Sequence, residues 1–224
     1  MTSVMPAAST VHMVDVAELL FDMDGTLVNS IPAVEHAWHE WAREHDVELP
    51  DTASFHGRTA LDIVSSFVGA ERLDDAIERL NVLESTSTQP VPTMPGALAL
   101  LASLPRARWA IVTSAARPVA HARLAAGQVP LPEHLVTGSD VENGKPDPEP
   151  FRLGRRHDGV AIAFEDTVAG LRSAREAGCL TVAILGTSTH DEVRDYADFV
   201  VETLEAVTVD EVTDAGIRLR IAAL

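Results

Sequence analysis

Six short apolar runs constrain the fold of this chain more than any other feature: AELLF (17–21), WAIVT (109–113), HLVTG (134–138), VAIAF (160–164), TVAIL (181–185) and DFVV (198–201). Most are nearly continuous in apolarity and do not alternate, which is the pattern of strands covered on both faces. Helical patterns lie between them from residue 109 onward. PVAHARLAAG and TVAGLRSAREAG each close on a glycine, Gly127 and Gly178, where a left-handed cap needs no Cβ. Strand and helix in alternation predict an α/β fold, a doubly wound parallel sheet with helices on both faces.

Residues 31–92 break the rhythm with helices and no convincing strand. Val34, Ala37, Trp38, Trp41 and Ala42 form the stripe of a core-facing helix, with Pro32 in its first turn. Ile63, Val64 and Phe67 mark a second helix, and Leu73, Ile77 and Leu80 a third. TQPVPTMPG (88–96) reads as a stiff linker. The expected organisation is a loose tail over 1–14, an α/β core domain from 15–30 and 93–224, and an inserted helical domain over 31–92, joined by two hinges. The two tryptophans are expected in the core of that insertion.

With 34 Asp+Glu against 17 Lys+Arg and a net charge of −17, most of the surface repels polyanions, so no nucleic-acid partner is expected. The single cysteine, Cys179, permits neither an internal disulfide nor a thiolate metal cluster. The N-terminal residues lack the basic start and apolar run of a signal peptide, and no stretch approaches membrane-spanning length. The expectation is a cytoplasmic monomer with no membrane partner.

The chemistry concentrates where strands end, which is where open α/β sheets bind ligands. Phe21-Asp22-Met23-Asp24-Gly25-Thr26 follows the first run, so Asp22 and Asp24 stand at i and i+2 as strand gives way to loop, and Gly25 allows a sharp turn. Alone, D-x-D-G is equally a solvated turn. Glu165-Asp166-Thr167 follows VAIAF at the mouth of a helix, where an acid also serves as a dipole cap. Thr113-Ser114 ends WAIVT, and its hydroxyls with nearby N–H groups can bind phosphoryl oxygens. Lys145 sits in the proline-bounded loop Asn143-Gly144-Lys145-Pro146-Asp147-Pro148. Oxygen ligands from Asp22, Asp24, Glu165 and Asp166 suit Mg²⁺, and Lys145 balances charge beside them.

In this order, D-x-D-G-T, the strand-end hydroxyls, the lysine of GKPDP and the acidic pair of FEDT make the chain resemble the haloacid dehalogenase-like (HAD) hydrolase superfamily over nearly its whole length. The resemblance implies a Rossmann-like core with a helical cap at 31–92. It also implies that Asp22 attacks phosphorus to form an aspartyl phosphate and that Asp24 protonates the leaving group and then activates water. Mg²⁺ and Lys145 stabilise the transferring group, and Thr26 helps fix the turn.

More locally, FDMDGTLVNSIPAVEHAWHEWAREH, WAIVTSAARPVAHAR and GKPDPEPF are similar to the sugar-phosphatase branch of that superfamily, with its 2-deoxyglucose-6-phosphatase and glycerol-3-phosphatase members. This implies a small phosphate ester of a sugar or polyol as the substrate. The cap loop His56-Gly57-Arg58 supplies two candidate substrate contacts, His56 and Arg58. Two alternatives stand beside this reading. A phosphosugar mutase of the β-phosphoglucomutase type would use the same aspartates but return the phosphoryl group to a sugar. A non-catalytic binding or regulatory module would keep the fold and show a missing carboxylate or lysine, and none is missing.

Overall fold

The structure is a computed structural model and describes residues 10–50, 55 and 57–224. Its centre is a six-stranded parallel sheet formed by β2 (Glu18–Phe21), β3 (Trp109–Val112), β4 (Leu135–Val136), β5 (Ala161–Glu165), β6 (Leu180–Ile184) and β7 (Phe199–Val201). The spatial order is β4-β3-β2-β5-β6-β7, so the chain winds outward in one direction and then returns to the other side of β2. Leu19 and Phe21 of β2 point into one apolar layer with Ile111, Ile162 and Phe164, while Leu20 points into the opposite layer with Ala110, Val112 and Ala163. Both faces are therefore buried, which is why these runs show no alternation.

Helices α4 (Ala97–Ala102) and α5 (Arg117–Ala126) supply Leu100, Leu101, Ala120 and Leu124 to the first layer. Helices α6 (Glu149–Gly154) and α7 (Val168–Glu176) supply Phe151 and Ala174 to the second. A short helix, α8 (His190–Val193), buries Val193 beside Leu171 of α7.

Residues 10–14, expected in the loose tail, belong instead to a strand. β1 (Thr10–Val16) pairs antiparallel with β9 (Ile217–Ala223) in the register Thr10↔Ala223 to Val16↔Ile217, and β8 (Val207–Val212) flanks β9 on its other side. Ile217, Leu219, Ile221 and Ala223 alternate inward against the first apolar layer, with Arg218 and Arg220 outward. The ribbon closes one face of the sheet.

Helices α1 (Ile31–His45), α2 (Ala60–Val64) and α3 (Leu73–Ser85) follow β2 and pack around an apolar cluster of their own, built on Trp38, Trp41, Phe55, Ile63, Val64 and Leu80. Trp41 is fully buried and its Nε1 donates to the Ala76 carbonyl at 2.8 Å, tying α1 to α3.

Gly178 has φ +81°, as its place after α7 requires, but Gly127 has φ −80° and the left-handed residue after α5 is Gln128 at φ +55°. Gly127 is small for another reason. A Cβ there would lie 2.5 Å from Cγ1 of Val28.

Candidate active site

Three adjacent strands, β3, β2 and β5, end side by side, and their last residues and first loop residues line one cleft beneath α1 and α2. Asp22, directly after β2, donates its backbone N–H to the Phe164 carbonyl at 2.9 Å and so continues the ladder with β5. That bond places its carboxylate beside the acids that end β5. Asp22, Glu165 and Asp166 bring one carboxylate oxygen each within 4.8 Å of the others, all three buried.

Lys145 reaches this cluster from the loop after β4. Its side chain is 0% exposed. Nζ donates to Asp22 Oδ1 at 2.6 Å, to Glu165 Oε1 at 2.6 Å and to the Val112 carbonyl at 2.9 Å, which uses all three of its protons. Glu149, on the first turn of α6, stiffens the loop by accepting from the N–H groups of Glu142 and Asn143. Burial alone would lower the Lys145 ammonium, but Asp22 and Glu165 outweigh it and hold it above the ordinary lysine value.

The carboxylates respond in the opposite sense. Burial pushes Asp22 well above the usual carboxylate range, Lys145 pulls it back, and Glu165 and Asp166 push it further up. Asp166 is raised to about 8, first by burial and then by Glu165, with the nearby Thr187 hydroxyl and Lys145 opposing. Were all three carboxylates ionised, one ammonium would leave two negative charges uncompensated, which is why burial and crowding push Asp22 and Asp166 up in the absence of a cation. Asp166 Oδ2 is also buried without a hydrogen-bond partner among the described residues. An all-oxygen donor set with an orphaned oxygen and excess negative charge fits a hard divalent cation.

Gly25 makes this packing possible. With φ +87°, its missing Cβ would lie 1.9 Å from Asp166 Oδ2, so neither the turn nor the neighbouring carboxylate admits another residue. Glu165 does not cap α7 itself. Thr167 is the N-cap, accepting from Gly170 N at 3.1 Å, and Glu165 Oε2 accepts from the N–H and hydroxyl of Thr167.

Asp24 turns away from the acidic triad, so its side chain is not among the clustered ligands. Oδ1 accepts from the Ser30 hydroxyl, and Oδ2 accepts from Arg123 Nη1 at 2.9 Å. Arg123 comes from α5, and its Nη2 donates to Glu84 Oε1 at 2.9 Å on α3. Arg123 and Glu84 line the same cleft as Asp22 and Asp24. Burial raises Glu84 above the usual carboxylate range, with Arg123 opposing.

The remaining expected residues divide. Thr113 and Ser114 both border the cleft; Thr113 Oγ1 accepts from Ala115 N at 3.1 Å, and the Ser114 hydroxyl donates to the Gly57 carbonyl at 2.7 Å. Arg58 lines the opposite wall, with Nη2 on the Asp62 carbonyl at 3.2 Å. His56 lies outside the described residues. Thr26 does not fix the turn through its side chain: its hydroxyl is buried without a partner among the described residues, and backbone bonds from Gly25 N to Val28 O and from Leu27 N to Met23 O close the turn.

Fold and site together define an α/β enzyme core with a buried cluster of carboxylates at its carboxyl edge that could hold a cation. The sequence profile of the haloacid dehalogenase-like hydrolases matches residues 19–184, and the chain belongs to that family. It is 40% identical over 200 residues to hexitol phosphatase A of Escherichia coli (strain K12), covering 85% of this chain and 92% of that protein. It is 31% identical over 234 residues to 2-deoxyglucose-6-phosphate phosphatase 2 of Saccharomyces cerevisiae, covering 90% and 94%. Among solved structures, a hydrolase from Pseudomonas syringae superposes with a TM-score of 0.73 at 24% identity, over 84% of this chain and 94% of that one, and so shares the fold.

Proposed function

We propose that this protein is a Mg²⁺-dependent phosphatase acting on small phosphorylated sugars or polyols through an aspartyl-phosphate intermediate. The observation that carries the reading is the buried group of Asp22, Glu165, Asp166 and Lys145 at the carboxyl edge, with a second aspartate two residues beyond the first in the same cleft. The hexitol and 2-deoxyglucose phosphate phosphatases among the relatives support the substrate class.

In this reading an oxygen of Asp22 attacks phosphorus as the bond to the ester oxygen breaks, and Asp24 gives its proton to that oxygen as the alcohol leaves. Water then attacks the aspartyl phosphate, Asp24 takes its proton, and phosphate departs. Asp22, Glu165 and Asp166 would hold the metal, which when bound supplies positive charge to the equatorial phosphoryl oxygens. Lys145 orients Asp22 and adds its own charge, and Thr113 and Ser114 offer hydroxyls to the phosphoryl group. The helical unit over 31–92 covers the cleft as a cap, and Arg58 approaches the substrate from it. Glu84 and Asp24 also face this space, which favours a neutral polyhydroxy leaving group over one with a carboxylate.

The test is a phosphate-release assay over sorbitol 6-phosphate, 2-deoxyglucose 6-phosphate, glycerol 3-phosphate and p-nitrophenyl phosphate, with Mg²⁺ and with EDTA. Expected is hydrolysis of at least one alkyl phosphate that chelation stops and Mg²⁺ restores. No release from any ester, or release that EDTA leaves unchanged, refutes the reading. Arg58→Ala should raise KM for the alkyl phosphate by about 10-fold, the loss of one charged hydrogen bond, with a smaller effect on p-nitrophenyl phosphate. Equal losses on both would make Arg58 structural.

A further inference from the structure

We infer that Arg123 is a positioning residue for Asp24, and that Glu84 on α3 makes this positioning depend on the helical unit being docked on the sheet. The inference rests on the assignment of Asp24 as the proton donor. Arg123 lies in the second half of α5, where Val119, Ala120 and Leu124 mark the buried stripe, and it occupies that stripe itself. Its side chain is only 7% exposed. A buried guanidinium is tolerated only when its charge and donors are met. Here one arm meets Asp24 of the core and the other meets Glu84 of the helical unit, each at 2.9 Å.

Glu84 continues the stripe Leu73, Ile77, Leu80 of α3, so it too is a charge on a core-facing position. Neither residue suits its helix taken separately; each is explained by the other. The consequence for Asp24 is geometric. Its two oxygens are held from two sides, Oδ1 by Ser30 and Oδ2 by Arg123, so its orientation in the cleft follows the place of the guanidinium. That place is fixed by Glu84 only while α3 packs against α5. The arrangement assembles the proton donor when the cap is down and loosens it when the cap lifts.

A misplaced proton donor has a signature that general damage lacks. Nitrophenolate leaves without a proton, whereas the alkoxide of a sugar needs one, so loss of the donor falls on the alkyl ester selectively. The experiment measures first-turnover alcohol release by rapid quench and nitrophenolate release by stopped flow. It uses the alkyl phosphate that the wild-type enzyme hydrolyses fastest, p-nitrophenyl phosphate, and four variants: Arg123→Gln, Arg123→Lys, Glu84→Gln and the Arg123→Gln/Glu84→Gln pair.

Arg123→Gln is expected to slow the alkyl ester by about 100-fold, the effect of displacing a catalytic group by about 1 Å, and nitrophenolate release by less than about 10-fold. Arg123→Lys keeps the charge but not the two-armed fork, and should show the same selectivity at smaller size. Glu84→Gln should slow the alkyl ester by about 10-fold alone and add nothing in the Arg123→Gln background, because both act through one link. Equal losses on the two esters, an unaffected alkyl rate, or an undiminished Glu84→Gln effect in the pair would overturn the inference. Should Arg123→Gln fail to fold, the ester selectivity of Arg123→Lys and Glu84→Gln decides it. An inactive wild-type enzyme would instead sink the phosphatase reading itself.

Discussion

Asp22→Asn is expected to lower phosphate release by a factor on the order of 10⁴ or more while the protein folds as before. The amide is the same size as the carboxylate, and its carbonyl oxygen can still accept from Lys145 at the position where Asp22 Oδ1 now lies 2.6 Å away. What disappears is the anionic oxygen, and an amide oxygen is too weak a nucleophile to open a phosphate ester. The fold should not suffer, because the substitution removes one of three carboxylates crowded around a single ammonium. Burial and the neighbouring acids already raise Asp22, so the ionised form is costly without a bound cation. The measurements are steady-state phosphate release with the best ester and a thermal melt in EDTA. Turnover within 10-fold of wild type would refute Asp22 as the nucleophile. A wild-type enzyme that moves phosphate between sugar positions without releasing it would favour the mutase.

The parallel sheet was legible because burial on both faces writes itself as unbroken apolarity. All six parallel strands fall within or beside the six runs, and the largest difference, HLVTG, is a two-residue strand at the sheet edge. The antiparallel ribbon is less legible for the complementary reason. IRLRIAA alternates, with Ile217, Leu219 and Ile221 inward and arginines outward, and a search for continuous runs passes over a period of two. The same signal in TVHMVDV is weaker, since only Val16 of β1 is fully buried. Its pairing with residues some 200 positions away leaves no local trace.

The site was legible to the degree that its residues sit at strand ends. Asp22, Thr113, Glu165 and Asp166 each follow from the rule that loops at the carboxyl edge converge. Lys145 could be suspected only from its motif, because a loop lysine gives no hint that it is 0% exposed. Arg123 and Glu84 do not sit at strand ends, yet both carry a mark: each places a charge where the helical stripe demands an apolar residue. A charge on a core-facing position needs a partner on another element, and two such positions in one chain are candidates for each other. The length of the chain between them, from α3 through α4 and β3 to α5, hides the pair from any local reading.

Lys145→Met should cost about 3–5 kcal/mol of stability in EDTA, a fall in Tm of about 10 °C for a chain of this size. Methionine fills nearly the same space and can keep the contact with the Phe151 ring that Nζ now makes from 5.2 Å. Packing is thus largely preserved, and the loss isolates the charge. Asp22 and Glu165 each lose a bond of 2.6 Å in a place that solvent barely reaches, and the Val112 carbonyl loses a third. An orphaned buried carboxylate takes up a proton in the fold that it would not hold in the unfolded chain. The folded state then binds more protons than the unfolded one, so the deficit should widen as pH rises through neutrality and narrow as it falls toward 5. Adding Glu165→Gln should recover part of the loss, because the amide needs no counter-charge. A Lys145→Met protein that melts within about 2 °C of wild type at pH 8 in EDTA would show that the lysine does not hold the acidic cluster together, and its role would then lie with the phosphoryl group alone.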